Sequence, residues 1–125
     1  MTKRLATLFA TGVFLLANLH CASNKKDKVY KGRLAIAGLC MNYTIQLVEG
    51  EMNPALIDTA WTDESSGKKY NRVFALKNPC QFPSSIQEGQ VFSFVLDTTA
   101  QPPCARCRAF YPTPTKSVAI TIVKD

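Results

Sequence analysis

Histidine is almost absent from this chain, and its scarcity removes whole classes of enzyme chemistry. The single histidine is His20, so residues 21–125 contain no imidazole that could activate a serine or cysteine nucleophile. A glycine-rich phosphate-binding loop is also lacking. The acids Glu49 and Glu51 flank Gly50 in a predicted turn, where solvated side chains are expected. We therefore predict a non-enzymatic protein with no catalytic residues and no cofactor.

A concentrated charge of one sign is also lacking. The chain has 15 basic and 9 acidic residues, and without residues 1–20, which include Lys3 and Arg4, the net charge falls to about +4. Three of the remaining lysines lie within residues 25–28. Residues 29–125 are then close to neutral and carry no basic stripe, so we predict no nucleic-acid partner.

The N-terminus has the three-part layout of a secretory signal. Lys3 and Arg4 precede an apolar run over residues 5–19, and a polar segment follows Cys21. The run is shorter than the roughly 20 residues of a membrane-spanning helix. We predict a signal peptide at 1–20, a polar tether at 21–28 and one domain at 29–125.

A single cysteine between an apolar run and a polar tether resembles the signal of bacterial lipoproteins. The resemblance implies acylation at Cys21, attachment to a membrane through the lipid, and a domain facing the periplasm or the exterior of the bacterial cell envelope. His20 departs from the small residue that such signals carry before the cysteine. Ordinary cleavage near residues 21–23, which would release a soluble protein, is the alternative.

Apolar and polar residues alternate along most of the predicted domain, and long helical stripes are lacking. We predict strands near residues 29–40, 43–47, 56–61, 70–76, 92–96 and 118–123, and a further short strand at 106–111. A hairpin loop is predicted at residues 63–67, and a helical turn is predicted within 78–89 between Pro79 and Gly89. Gly32 and Gly38 would let the first strand bend around both sides of a small barrel.

These elements predict an all-β domain of five to seven short strands with one short helical turn. Their order resembles that of small OB-like barrels, closed or partly open, and this likeness concerns the fold alone. An immunoglobulin-like sandwich is the alternative.

Four cysteines lie beyond Cys21, namely Cys40, Cys80, Cys104 and Cys107. Export would place them in an oxidising compartment, where two disulfides are expected, and three pairings are possible. We favour Cys104–Cys107 with Cys40–Cys80, because the short step can close locally. A bond from Cys104 to Cys40 or to Cys80 would also strengthen a small barrel.

A thiol-redox or metal-handling protein is the alternative class of function. Arg106 and Arg108 could depress the pKa of a thiol at Cys104 or Cys107, but prolines at 102 and 103 exclude a regular helix before the pair. A four-cysteine zinc site lacks a second close pair. The chain also resembles envelope lipoproteins that sense copper through a C-x-x-C in a β-barrel, but it has few methionine and histidine ligands. We predict no metal site.

Aromatic side chains are numerous for so small a domain, and most are expected in the core. Trp61, Phe110 and Tyr111 are candidates for an open face that stacks on a sugar or a peptide. Together these features predict an exported, membrane-tethered binding or interaction module for a protein, peptide or glycan. The alternative is a redox or copper- or zinc-handling envelope protein that uses Cys104 and Cys107.

Overall fold

The structure is a computed structural model that describes residues 27–124. The predicted signal peptide at 1–20, the predicted acylation site at Cys21 and the part of the predicted tether up to residue 26 lie outside the described residues. No helix within residues 27–124 has the length and apolar character that a membrane crossing requires.

The described residues form an all-β domain of seven strands and three single 3-10 turns. The strands are β1 (Tyr30–Gly38), β2 (Asn42–Glu49), β3 (Asp58–Thr62), β4 (Lys69–Leu76), β5 (Val91–Leu96), β6 (Ser117–Val118) and β7 (Ile120–Val123). The 3-10 turns are η1 (Leu39–Met41), η2 (Pro54–Leu56) and η3 (Pro79–Gln81).

All seven strands belong to one sheet in the order β3-β4-β2-β1-β5-β7, and β6 pairs with β4. The β4–β6 pair is parallel, and every other pair is antiparallel. The hydrogen-bonded order does not close on itself into a ring. The seven strands and their pairings confirm the predicted all-β class.

Alternation along the strands places large apolar side chains on one face of the sheet. Leu34, Ile45, Phe74 and Phe94 are almost inaccessible to solvent, and the Phe74 and Phe94 rings meet edge to face with centroids 6.0 Å apart. Burial of such side chains contributes roughly 1.5–3 kcal/mol each. This cluster holds the sheet around a single core.

Gly32 allows β1 to approach the core closely. A Cβ atom at this position would lie 2.9 Å from the Phe94 ring and 3.1 Å from a methyl group of Ile45. The pairing of β1 with β2 also shifts between Lys31 and Gly32. The predicted bend in the first strand therefore coincides with an irregularity where only glycine fits without displacing core side chains.

One local prediction differs from the structure. Residues 106–111 form no strand, because this segment is held by the Cys40–Cys107 disulfide and by Arg106 instead of by a ladder. The helical turn predicted within 78–89 is present as η3, and Pro79 and Pro83 keep it short because they limit helical hydrogen bonding. The hairpin loop at 63–67 is confirmed, with Gly67 at φ +73° donating its N–H to Asp63 at 2.7 Å.

The parallel ladder between β4 and β6 ends at a proline. The N–H groups of Ala75 and Lys77 donate to the carbonyls of Lys116 and Val118 at 2.7 and 2.9 Å. The next donor in this series would be residue 79, and Pro79 has no N–H. The chain turns into η3 there, and β7 continues beyond the end of β4.

Candidate functional site

The four described cysteines form two disulfides whose pairing differs from the favoured prediction. Cys40 bonds Cys107 with 5.5 Å between their Cα atoms, and Cys80 bonds Cys104 with 5.8 Å. The predicted Cys104–Cys107 and Cys40–Cys80 pairs are therefore wrong, although a Cys80–Cys104 bond was among the open alternatives. The physical reason is that the long segment after β5 passes both η1 and η3, so its two cysteines meet different elements.

Arg106 provides a third attachment for the same segment. Its guanidinium group donates to the carbonyls of Leu76 and Lys77 at 3.3 and 2.9 Å, at the end of β4. This side chain therefore holds the loop, whereas in the alternative redox function it could depress the pKa of a neighbouring thiol.

A groove of about 400 Å³ lies between η3, the loop after β5 and β7. The Cys80–Cys104 disulfide joins the first two of these walls. This volume lies within the range of about 300–1,000 Å³ typical of small-ligand pockets. The lining combines polar side chains with an apolar floor: Asn78, Gln81, Pro83, Asp97, Thr99, Ala100, Gln101, Pro102, Ile120, Thr121, Ile122 and Lys124.

The carboxylate of Asp97 is fixed at one side of the groove. It accepts from the hydroxyl and the N–H of Thr99 at 2.5 and 2.9 Å, and from the hydroxyl of Thr121 at 3.3 Å. The Thr99 hydroxyl, followed by the Thr99 N–H, holds the pKa of Asp97 below its usual range. Asp97 is therefore a charged, oriented acceptor at neutral pH, and Lys124 lines the same groove with the opposite charge.

Amide side chains supply most of the remaining polar lining. The Gln101 Nε2 group donates to the carbonyl of Thr99 at 3.0 Å, while its Oε1 atom is buried without a hydrogen-bond donor among residues 27–124. Asn78 is itself buried, with 5% of its surface exposed. The exposed side chains of Gln81, Thr99 and Thr121 line the same groove, so the groove offers hydrogen-bonding groups to a polar, largely uncharged ligand.

The predicted aromatic candidates occupy separate places. Trp61 is half-buried opposite Tyr70 on the β3–β4 hairpin, with ring centroids 5.9 Å apart, beside a hollow of about 270 Å³. Phe110 is 86% exposed. Tyr111 is half-buried, and its ring would lie 2.7 Å from a Cβ atom on Gly38.

The strand register separates Trp61 from Tyr111. Tyr70 lies five residues before Ala75 on β4, so the two residues are separated by roughly 16 Å along the strand. Ala75 pairs with Thr44 near the β1–β2 connection. Gly38, which Tyr111 contacts, pairs with Asn42 at that connection. The structure therefore does not gather these aromatics into one stacking face.

Within residues 27–124 no group of three or more histidine, cysteine or acidic side chains could hold a metal ion. The chain matches no protein family, no curated protein and no solved structure.

No pattern in the sequence indicates the groove, because its lining comes from three separate segments of the chain. Asn78, Asp97 and Thr121 occur in ordinary turn and strand contexts, and no spacing rule connects them. The one available signal was Asn78-Pro79, which marks the end of an extended segment but does not reveal its neighbour.

Proposed function

We propose that this chain is an exported, membrane-tethered binding module without enzymatic activity, whose ligand lies in the groove between η3 and β7. The observation that carries the proposal is the groove itself, where a disulfide joins two walls and fixed polar groups surround an apolar floor. Such a combination of apolar lining and a few oriented polar groups is the usual construction of a ligand site.

An OB-like, partly open barrel is the architecture that we propose for the sheet. Ala119 alone separates β6, which pairs with β4, from β7, which pairs with β5. One short segment thus reaches strands from both halves of the sheet order. These pairings support a curled single sheet over the two stacked sheets of an immunoglobulin-like sandwich.

The tether would lie near the groove. Asp27 lines a shallow hollow together with Asp97, Thr99 and Thr121, which also line the groove. If Cys21 carries the lipid, the six intervening steps span at most about 22 Å. A ligand in the groove would then be held close to the membrane surface.

The rival redox or copper- and zinc-handling function has less support. It requires Cys104 and Cys107 as a couple or as joint ligands, and each is bonded to a different cysteine. Reduction of both disulfides would be needed before these thiols could act together.

Metabolic palmitate labelling in a bacterial host tests the tether. We expect label on the parent chain and none on a Cys21→Ala variant, with globomycin blocking the processing of the parent. Membrane association and processing that are the same in Cys21→Ala as in the parent would contradict lipidation at this residue.

Amide chemical shifts of the mature, disulfide-bonded chain test binding in the groove. Maltose and the blocked peptide acetyl-Ala-Ala-Ala-amide are suitable polar, uncharged probes. We expect at least one of them to shift Thr99, Gln101 and Thr121, and we expect Ala100→Trp to abolish the shifts. An Ala109→Trp variant, which adds the same bulk at an exposed alanine outside the groove lining, is the control. Shifts centred on Trp61 and Tyr70, or no shifts with either probe, would overturn the proposal.

A further inference from the structure

The backbone of Ile122 faces away from β5. The N–H of Asp97 donates to the carbonyl of Ala119, so residues 97 and 119 form a hydrogen-bonded antiparallel pair. The register then makes Val95–Thr121 and Ser93–Val123 hydrogen-bonded pairs as well. Ile120 and Ile122 alternate with these residues, so their N–H and C=O groups point to the other edge of β7.

Ile120 already has a partner on that edge. The Asn78 side chain accepts from the Ile120 N–H at 3.0 Å and donates to the Ile120 carbonyl at 2.8 Å. An asparagine amide thus replaces the main-chain groups that β4 would have supplied beyond Pro79. For Ile122, the next residue in this series, the ladder and loop hydrogen bonds of residues 27–124 include no partner on this edge.

This open edge lies inside the groove, because Ile120, Ile122 and Lys124 all line it. The Ile122 side chain packs against the core, which fixes the direction of its backbone groups. From Ile120 to Lys124 the edge extends roughly 13 Å. An extended segment of about four residues would match this length.

The geometry points to strand addition, in which an extended, largely uncharged peptide lies along β7 in the groove and pairs its main chain with Ile122. The open N–H and C=O groups of Ile122 are complementary to the backbone of another polypeptide. This inference rests on the proposed function and specifies the chemical class of its ligand.

The lining favours an uncharged peptide. Asp97 and Lys124, the charged side chains of the lining, carry opposite signs. The Asp97 carboxylate is already occupied by Thr99 and Thr121. The two charges cancel, so the lining offers no net attraction to a peptide of either sign, whereas a charged peptide side chain would lose hydration on entering the groove.

Amide hydrogen exchange on the mature, disulfide-bonded chain tests whether the edge is open. We expect the Ile122 N–H to exchange at least about tenfold faster than those of Thr121 and Val123, which pair with β5. Protection of Ile122 in the free chain would overturn the inference, since it would mean that the N-terminal residues of the chain, a second copy or another element already covers the edge.

Binding is tested with the peptide acetyl-Thr-Val-Thr-Val-Thr-amide, whose alternation gives its two faces different side chains. We expect the peptide to slow exchange of the Ile122 N–H. Two methylated peptides are compared, one methylated at the nitrogens of the two valines and one at those of the three threonines. One of the two patterns should weaken binding by about tenfold or more, because a paired strand uses alternate N–H groups on one edge. Methylation of the other set should leave affinity within about threefold.

Ala100→Trp should abolish peptide binding, and Ala109→Trp should preserve it. Equal effects of the two methylation patterns would overturn strand addition. If maltose shifts the groove residues and neither blocked peptide does, the inference fails while the proposed function stands. If no probe binds, both fail.

Discussion

Asn78 hydrogen bonds both backbone groups of Ile120, 42 residues further along the chain. The asparagine side chain supplies hydrogen bonds to β7 where Pro79 cannot donate, and it does so inside the core, since Asn78 and Ile120 are both buried. The same contact marks the boundary between the covered and the open part of the β7 edge. Asn78 therefore contributes both to the stability of the fold and to the lining of the candidate groove.

Asn78→Ala should destabilise the domain by about 2–4 kcal/mol, because it leaves a buried N–H and a buried carbonyl without partners. Gln81→Ala is the control, since the exposed Gln81 side chain accepts from the same Asn78 amide at 2.9 Å. We expect Gln81→Ala to cost less than about 1 kcal/mol. Denaturant unfolding at neutral pH measures both values, and equal costs would contradict the role assigned to Asn78.

Tryptic digestion without reduction should reveal the disulfide pairing directly, because cleavage after Arg106 separates Cys104 from Cys107. Cys80 and Cys104 should remain within one peptide, 78–106, as an internal disulfide. Cys40 should link peptide 34–68 to the dipeptide 107–108. A peptide 78–106 linked to 107–108 would instead indicate that Cys107 bonds Cys80 or Cys104, and would contradict the structure.

Removal of either disulfide should also weaken the fold, measured as denaturant unfolding of paired Cys→Ser variants. The Cys40–Cys107 and Cys80–Cys104 bonds span 67 and 24 residues. On the chain-entropy account they contribute about 4.4 and about 3.5 kcal/mol. We therefore expect the larger loss for Cys40→Ser/Cys107→Ser. A larger loss for the other pair would show that native contacts outweigh loop entropy.

The strands could be predicted from sequence because a half-buried sheet requires alternating polarity. Phe92 and Phe94 enter the core while Val91 and Ser93 are more exposed, and this pattern identified β5. Alternation failed at residues 106–111, where Cys107 and Arg106 hold an irregular segment. Local patterns record which face is apolar, but they do not record a long-range bond that replaces a ladder.

The disulfide pairing and the groove depended on information that spacing does not contain. The three-residue step from Cys104 to Cys107 could close locally in an isolated peptide. In the folded chain, Cys104 meets η3 and Cys107 meets η1. The path of the loop decides between these outcomes, and that path follows from the packing of the whole sheet.

Trp61 should contribute to stability through Tyr70, its cross-strand neighbour. A double-mutant cycle with Trp61→Ala and Tyr70→Ala should give a coupling of about 0.5–1.5 kcal/mol in the free energy of unfolding. Phe110→Ala, at a position with little buried surface, should change stability by less than about 0.5 kcal/mol. No coupling between Trp61 and Tyr70 would instead favour the predicted ligand-stacking role of Trp61.

Asp63 should make the free energy of unfolding depend on pH in the acid range. Its side chain is 3% exposed and accepts from the Ser65 N–H and hydroxyl at 2.9 and 2.7 Å and from the Ser66 hydroxyl at 2.9 Å. Burial raises the pKa of Asp63, but the hydrogen bonds together lower it by more than burial raises it. The pKa therefore lies below the ordinary value of 3.8. The carboxylate form is therefore favoured in the folded state.

The resulting stabilisation is present above the unfolded pKa, near 3.8, and is lost as pH falls from that value through the lower folded pKa. We expect the stability difference between the parent and Asp63→Asn to be largest near neutral pH and to shrink as the pH falls from about 5 to about 2. Glu64→Gln removes the same charge from the same loop and serves as the control. Denaturant unfolding over this range measures the difference, and parallel curves for the parent and Asp63→Asn would show that the hydrogen bonds of the loop do not depend on the ionised carboxylate.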